Sequence, residues 1–124
     1  MTMRDSIKSA LVSGAETKTE GPVLFAFRFS AGDPTFAGHF PNRPLLPGIF
    51  QLEITRLTAE LVLQTPLAVR AITKAKFLRP IIPDETVCVE LKLVEKPDTI
   101  QVRTRFSVTG QPAGEAILEL SRVR

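Results

Sequence analysis

Residues Gly38 to Gly48 read Gly-His-Phe-Pro-Asn-Arg-Pro-Leu-Leu-Pro-Gly, and Glu53 follows five residues later. His39 is the only histidine among the 124 residues, and Pro41, Pro44 and Pro47 stiffen the segment that carries it. Proline fixes φ and removes a backbone donor, so this stretch is a restricted loop rather than a helix. An imidazole titrates near neutrality and can accept a proton. On the helix expected next, Glu53 lies three residues after Phe50, four after Ile49 and four before Leu57, within an apolar surface. Burial disfavours an ionised carboxyl, so the expectation is a Glu53 that keeps a proton and can donate it. Gly48, at the helix start, offers a backbone N–H and the positive end of the helix dipole to a developing oxyanion. Base, acid and oxyanion donor suit proton abstraction beside a carbonyl, with loss of a β-hydroxyl as water. The residues alone leave a plainer reading open, in which His39 caps a loop and Glu53 makes a structural hydrogen bond.

The elements that must hold these groups follow from periodicity. Asp5 to Val12 reads as a short helix with Ile7 and Leu11 on one side, stopped by Ser13-Gly14. A polar linker, Ala15 to Gly21, leads to a strand from Val23 to Phe29, with Phe25, Phe27 and Phe29 on one face. Ala31 to Pro47 is the proline-rich loop. Gly48 to Gln64 is the one long helix, about four and a half turns. Phe50, Ile54, Leu57 and Leu61 make one apolar stripe on it, and Leu52, Ala59 and Leu63 another. Only Gln51, Thr55 and Thr58 form a polar arc, so the helix is a buried one.

After Pro66 the period becomes two. Strands are expected over Ala71 to Phe77, Thr86 to Val94 and Ile100 to Val108, with a last strand carrying Ala116, Leu118 and Leu120 after a turn at Gly110 to Gly114. Successive alternating strands with short turns make an antiparallel, half-buried meander. Its apolar face needs a cover, and the long helix is there to supply it. The expectation is one α+β domain spanning residues 1–124.

Composition narrows the function classes. An apolar fraction of 44% and a charged fraction of 23% are ordinary for a globular protein. No apolar run is long enough to cross a bilayer, and the N-terminus lacks a signal core, so a cytoplasmic location is expected. A net charge of +3 with no Trp or Tyr argues against nucleic acid as a partner. Cys88 is the single cysteine, read as a structural thiol, and the chain lacks the clustered ligands a metal site needs.

The run Gly38-His39-Phe40-Pro41-x-x-Pro44-x-x-Pro47-Gly48 with Glu53 resembles the signature of 3-hydroxyacyl-[acyl-carrier-protein] dehydratases of the FabZ/FabA type. Lys76-Phe77-Leu78-Arg79-Pro80-Ile81-Ile82-Pro83 is similar to the strand–turn segment of those enzymes. Leu46-Pro47-Gly48-x-x-Gln51-Leu52-Glu53 is closer to the accessory dehydratases of aryl-polyene or polyketide-like clusters. The resemblance implies a hotdog fold, a sheet wrapped around one central helix, and a homodimer joined sheet edge to sheet edge. It implies that His39 abstracts the α-proton of a (3R)-3-hydroxyacyl thioester. Glu53 of the partner subunit then helps the hydroxyl leave as water, and the Gly48 N–H polarises the carbonyl. Phe40, Leu45, Pro47, Ile49 and Leu57 are the expected substrate-lining positions. The Leu45 carbonyl would fix the imidazole tautomer. The substrate would ride on acyl-carrier protein, for which Arg43, Lys76 and Arg79 are candidate docking cations, and no cofactor of the protein's own is implied. The chain departs from the signature at Leu57, where the family has glutamine, and at Asp84, where it has glycine. Two other functions stay open: thioester hydrolysis on the same fold, and a non-catalytic subunit that needs a companion chain.

Overall fold

Apolar–polar alternation after Pro66 builds strands, and the apolar segment before it becomes the helix they enclose. The computed structural model describes residues 2–14, 21–33 and 46–123. It contains α1 (Met3–Ala10), β1 (Leu11–Gly14), β2 (Val23–Arg28), α2 (Gly48–Leu63), β3 (Leu67–Phe77), β4 (Thr86–Glu95), β5 (Ile100–Val108) and β6 (Gln111–Arg122). The strands form one antiparallel sheet in the order β1-β2-β4-β5-β6-β3. α2 packs against β3, β4, β5 and β6, and α1 lies on α2 and β2. This is the expected α+β hotdog arrangement.

Alternation sets which face is inside. Val87, Val89 and Leu91 of β4, Val102 and Phe106 of β5, and Leu118 and Leu120 of β6 are buried with Phe25, Phe27 and Phe29. Ile54, Leu57 and Ala59 of α2 complete this core. Each large apolar side chain fully buried contributes roughly 1.5–3 kcal/mol. A one-residue slip would turn a whole strand's set outward, so the register is firmly specified. Cys88 falls between Val87 and Val89 and is exposed on the outward face, not packed as a structural thiol.

Four elements differ from the periodic reading. The first helix ends at Ala10, and Leu11–Gly14 instead pairs with β2, an edge pairing that no local pattern reveals. A capping box between Thr2 and Asp5 starts that helix at Met3. β3 begins at Leu67 rather than Ala71, because register shifts between Val69 and Ala71 and between Ile72 and Lys74 interrupt its alternation. β6 begins at Gln111, since the turn is only Thr109-Gly110, with φ of 49° and 79°. Pro112 is tolerated there because it sits at the strand's start.

The polar arc of α2 is buried against the sheet. Thr55 Oγ1 donates to the Gln51 carbonyl at 2.9 Å and lies 2.8 Å from Thr104 Oγ1. Thr58 Oγ1 donates to the Ile54 carbonyl at 2.8 Å. Hydroxyls satisfied on their own helix can be enclosed without an orphaned donor. The Gln51 side chain, 3% exposed, lies over Gly114 of β6. A Cβ at Gly114 would collide with that amide and stand 2.9 Å from the Lys76 carbonyl, so this close approach needs glycine. Gly114→Ala is therefore expected to lower the unfolding free energy by about 1–3 kcal/mol in urea titrations. Adding Gln51→Ala should recover part of that loss, because it removes the side-chain half of the collision.

Candidate active site at the start of the central helix

α2 begins without a side-chain cap. Pro47 takes the N-cap position with φ −60° and ψ 144°, and its carbonyl accepts from the Phe50 N–H at 3.0 Å, which leaves the Gly48 N–H at the helix start for a partner outside the helix. Leu46 leads into it, buried, its N–H donating to the Ile81 carbonyl at 2.7 Å. The segment after β3 is fastened alongside. The N–H groups of Leu78 and Arg79 both donate to the Ala113 carbonyl, at 2.9 and 3.2 Å, and that of Asp84 donates to the Phe29 carbonyl at 2.8 Å. Asp84 holds φ +67°, the left-handed conformation that favours glycine. The departure from the glycine signature thus keeps the backbone shape, since Asp tolerates this region better than most residues.

Between these elements lies a recess of about 290 Å³ lined by Leu46, Gly48, Gln51, Phe77, Leu78, Arg79 and Pro80. The Phe77 ring, 52% exposed, leans on Gly48 so closely that a Cβ there would come within 2.7 Å of Cε2. A side chain at position 48 would therefore force the Phe77 ring aside. Gln51 Oε1 is buried beside this recess without a hydrogen-bond partner among the described residues. The periodic reading overlooked Phe77 as a site residue, although the Lys76-Phe77 pair of the second motif was the signal available. A separate surface depression of about 790 Å³ includes Arg70, Asp98 and Arg122 in its lining and none of the candidate residues.

Glu53 corrects an expectation. Its side chain is 20% exposed rather than enclosed by apolar groups, and Arg56 grips it. Arg56 Nε donates to Oε2 at 3.1 Å, while Nη2 pairs with Oε1. A planar guanidinium fork faces the carboxylate. Hydrogen bonding to Glu53 raises the Arg56 pKa above its ordinary value, with burial acting against it. The signal for this lay in the i,i+3 spacing of Glu53 and Arg56 and the i,i+4 spacing of Arg56 and Glu60.

The other candidates divide. Gly48 and Arg79 share the recess, and Arg79 also pairs with Glu85 at 2.9 Å. Pro47 and Ile49 flank Gly48, and Ile49 is exposed. Leu57 does not line this recess: it is buried in the core and borders a separate depression shared with Arg4 and Lys8 of α1. Lys76 sits opposite Glu115 on β6 and borders a groove that also includes Arg105. His39, Phe40, Arg43 and Leu45 lie outside the described residues.

Residues 15–116 match the family described as ApeI-like, ApeI dehydratase. The 3-hydroxyacyl-[acyl-carrier-protein] dehydratase FabZ of Histophilus somni (strain 2336) is 31% identical over 122 residues, which span 90% of this chain and 81% of that protein. The FabZ of Hydrogenobaculum sp. (strain Y04AAS1) is 30% identical over 99 residues, covering 72% of this chain and 67% of that one. Among solved structures, the dehydratase heterocomplex ApeI:P from Xenorhabdus doucetiae is similar with a TM-score of 0.78 at 24% identity, over 90% of this chain and 96% of that one. A hypothetical thioesterase with coenzyme A from Streptococcus pneumoniae TIGR4 gives 0.70 at 9% identity, over 90% and 87%, a likeness of fold alone. With the sheet-wrapped helix and the family match over most of its length, the chain belongs to the ApeI-like family of hotdog-fold dehydratases.

Proposed function

We propose that this chain removes water from a (3R)-3-hydroxyacyl thioester on acyl-carrier protein, giving the trans-2-enoyl thioester. The observation that carries the reading is the half-buried Glu53 carboxylate, held on the same helix whose uncapped start at Gly48 opens on a recess. In this reaction His39 takes the α-proton and the Gly48 N–H steadies the charge that develops on the thioester oxygen. Glu53 meets the β-hydroxyl. Gripped by Arg56, it is better suited to accept the hydroxyl's hydrogen bond and orient it than to act as the acid. The proton balance then closes at His39, which delivers the α-proton to the departing oxygen as water leaves.

The second half of the site would come from a second chain. Among the described residues β3 is an open edge of 11 residues, and Val69, Ile72 and Phe77 on it are exposed. An uncovered strand edge bearing apolar side chains calls for a partner. Joining β3 to the β3 of another copy would satisfy it. Arg43, Lys76 and Arg79 remain the candidate contacts for an acidic carrier.

One observation favours a second reading, in which the partner is a different hotdog chain. β3 carries Arg70, Lys74 and Lys76 and no acid, so two copies joined edge to edge would gather like charges at the seam. Only Lys74 has an ion-pair partner of its own, Glu115 at 2.6 Å, among the described residues. A companion with an acidic edge would relieve this, and the similar Xenorhabdus structure is itself a heterocomplex.

Mass spectrometry of 3-hydroxyacyl carrier thioesters incubated with the purified chain is expected to show loss of water with the thioester intact. His39→Ala and Glu53→Ala should each lower kcat by at least about 100-fold. Unchanged turnover in both variants would sink the assignment. Sedimentation separates the two assemblies: a dimer that turns over unaided supports the homodimer, whereas activity that appears only with a companion chain supports the other reading.

A further inference from the structure

We infer that Arg56 is a positioning residue, fixing the Glu53 carboxylate and fastening it to the start of edge strand β3. The inference deepens the dehydratase reading and rests on it. Four of the five N–H groups of the Arg56 guanidinium are engaged. Nε and Nη2 hold the two Glu53 oxygens, and Nη1 donates to Glu60 Oε2 and to the Leu67 carbonyl, both at 3.1 Å. Glu60, 7% exposed, accepts in addition from the Leu67 N–H at 2.8 Å and from Arg4 Nη2 at 2.5 Å. Both backbone groups of the first β3 residue are thereby tied to one side-chain network.

The network is more than a way to bury Glu60. Arg4, one Arg56 nitrogen and the Leu67 N–H already satisfy that acid. The fork on Glu53 adds nothing to the burial of Glu60, yet it commits two further Arg56 donors to the acid of this network that opens more towards solvent. A free glutamate samples many rotamers, whereas a planar two-point grip selects one geometry. A lysine would supply the charge without the fork. Glu53, Arg56 and Glu60 follow one another along a single helix face, so this geometry is transmitted rigidly along α2.

The test combines kinetics with a physical readout, on the assembly that turns over. Arg56→Gln is expected to lower kcat about 10- to 100-fold with KM changed by less than about 3-fold. Arg56→Lys should recover part of the loss. In a Glu53→Gln background the same Arg56→Gln change should alter kcat by less than about 3-fold, because its effect passes through Glu53. An equal loss in both backgrounds, or no loss in either, overturns the inference. Independently, the Arg56 Nε–H resonance in ¹⁵N NMR should exchange with solvent at least about 10-fold faster in Glu53→Gln than in the wild type. Equal exchange overturns the inference even if Arg56→Gln fails to fold. A wild type with no dehydration activity would instead overturn the functional reading, while the exchange rates still decide whether Arg56 holds Glu53.

Discussion

A helix enclosed by a sheet must satisfy its polar groups without water, and the rest of this fold depends on how α2 does so. Its threonines turn their hydroxyls back on the helix's own carbonyls, with Thr104 meeting Thr55 across the core. Its buried acid, Glu60, draws in Arg4 from α1, Arg56 from α2 and the backbone of β3. A buried polar group left without partners costs about 1–3 kcal/mol, more when charged, so these contacts determine where α2 can lie. Once α2 is fixed, Gly48 faces the recess beside Phe77, and Glu53 is held by Arg56, which also bonds the start of β3.

Much of this was legible in the sequence. Strict alternation over Ile100–Val108 made its bounds readable to the residue, because every second side chain there is buried. Gly48–Leu63 was readable from its apolar stripes and from Pro47 before it. β3 was harder, since its bulges scramble the two-residue period and much of its surface is uncovered. β1 was invisible, because four exposed residues carry no pattern and owe their shape to β2 alone.

The site was legible in its residue types more than in its electrostatics. A helical wheel placed Glu53 among apolar neighbours and so made it a buried acid. It gave no weight to Arg56, whose long side chain folds back along the helix and reaches the carboxylate. Leu57 holds a motif position, and its direction on the helix takes it into the core. The Asp84 departure, by contrast, changes little, because the left-handed backbone that glycine would supply is present with aspartate. Motif position tells which residues matter. Packing decides what each one faces.

The reaction itself is most directly tested with heavy-oxygen water. A 2-enoyl carrier thioester would be incubated with the protein, and with its companion chain if one is needed, in H₂¹⁸O. The expected result is ¹⁸O appearing as a hydroxyl on the third carbon of an acyl chain still attached to its carrier. Label in a released carboxylate, with the carrier thiol set free, would contradict it and make the same helix and recess those of a hydrolase.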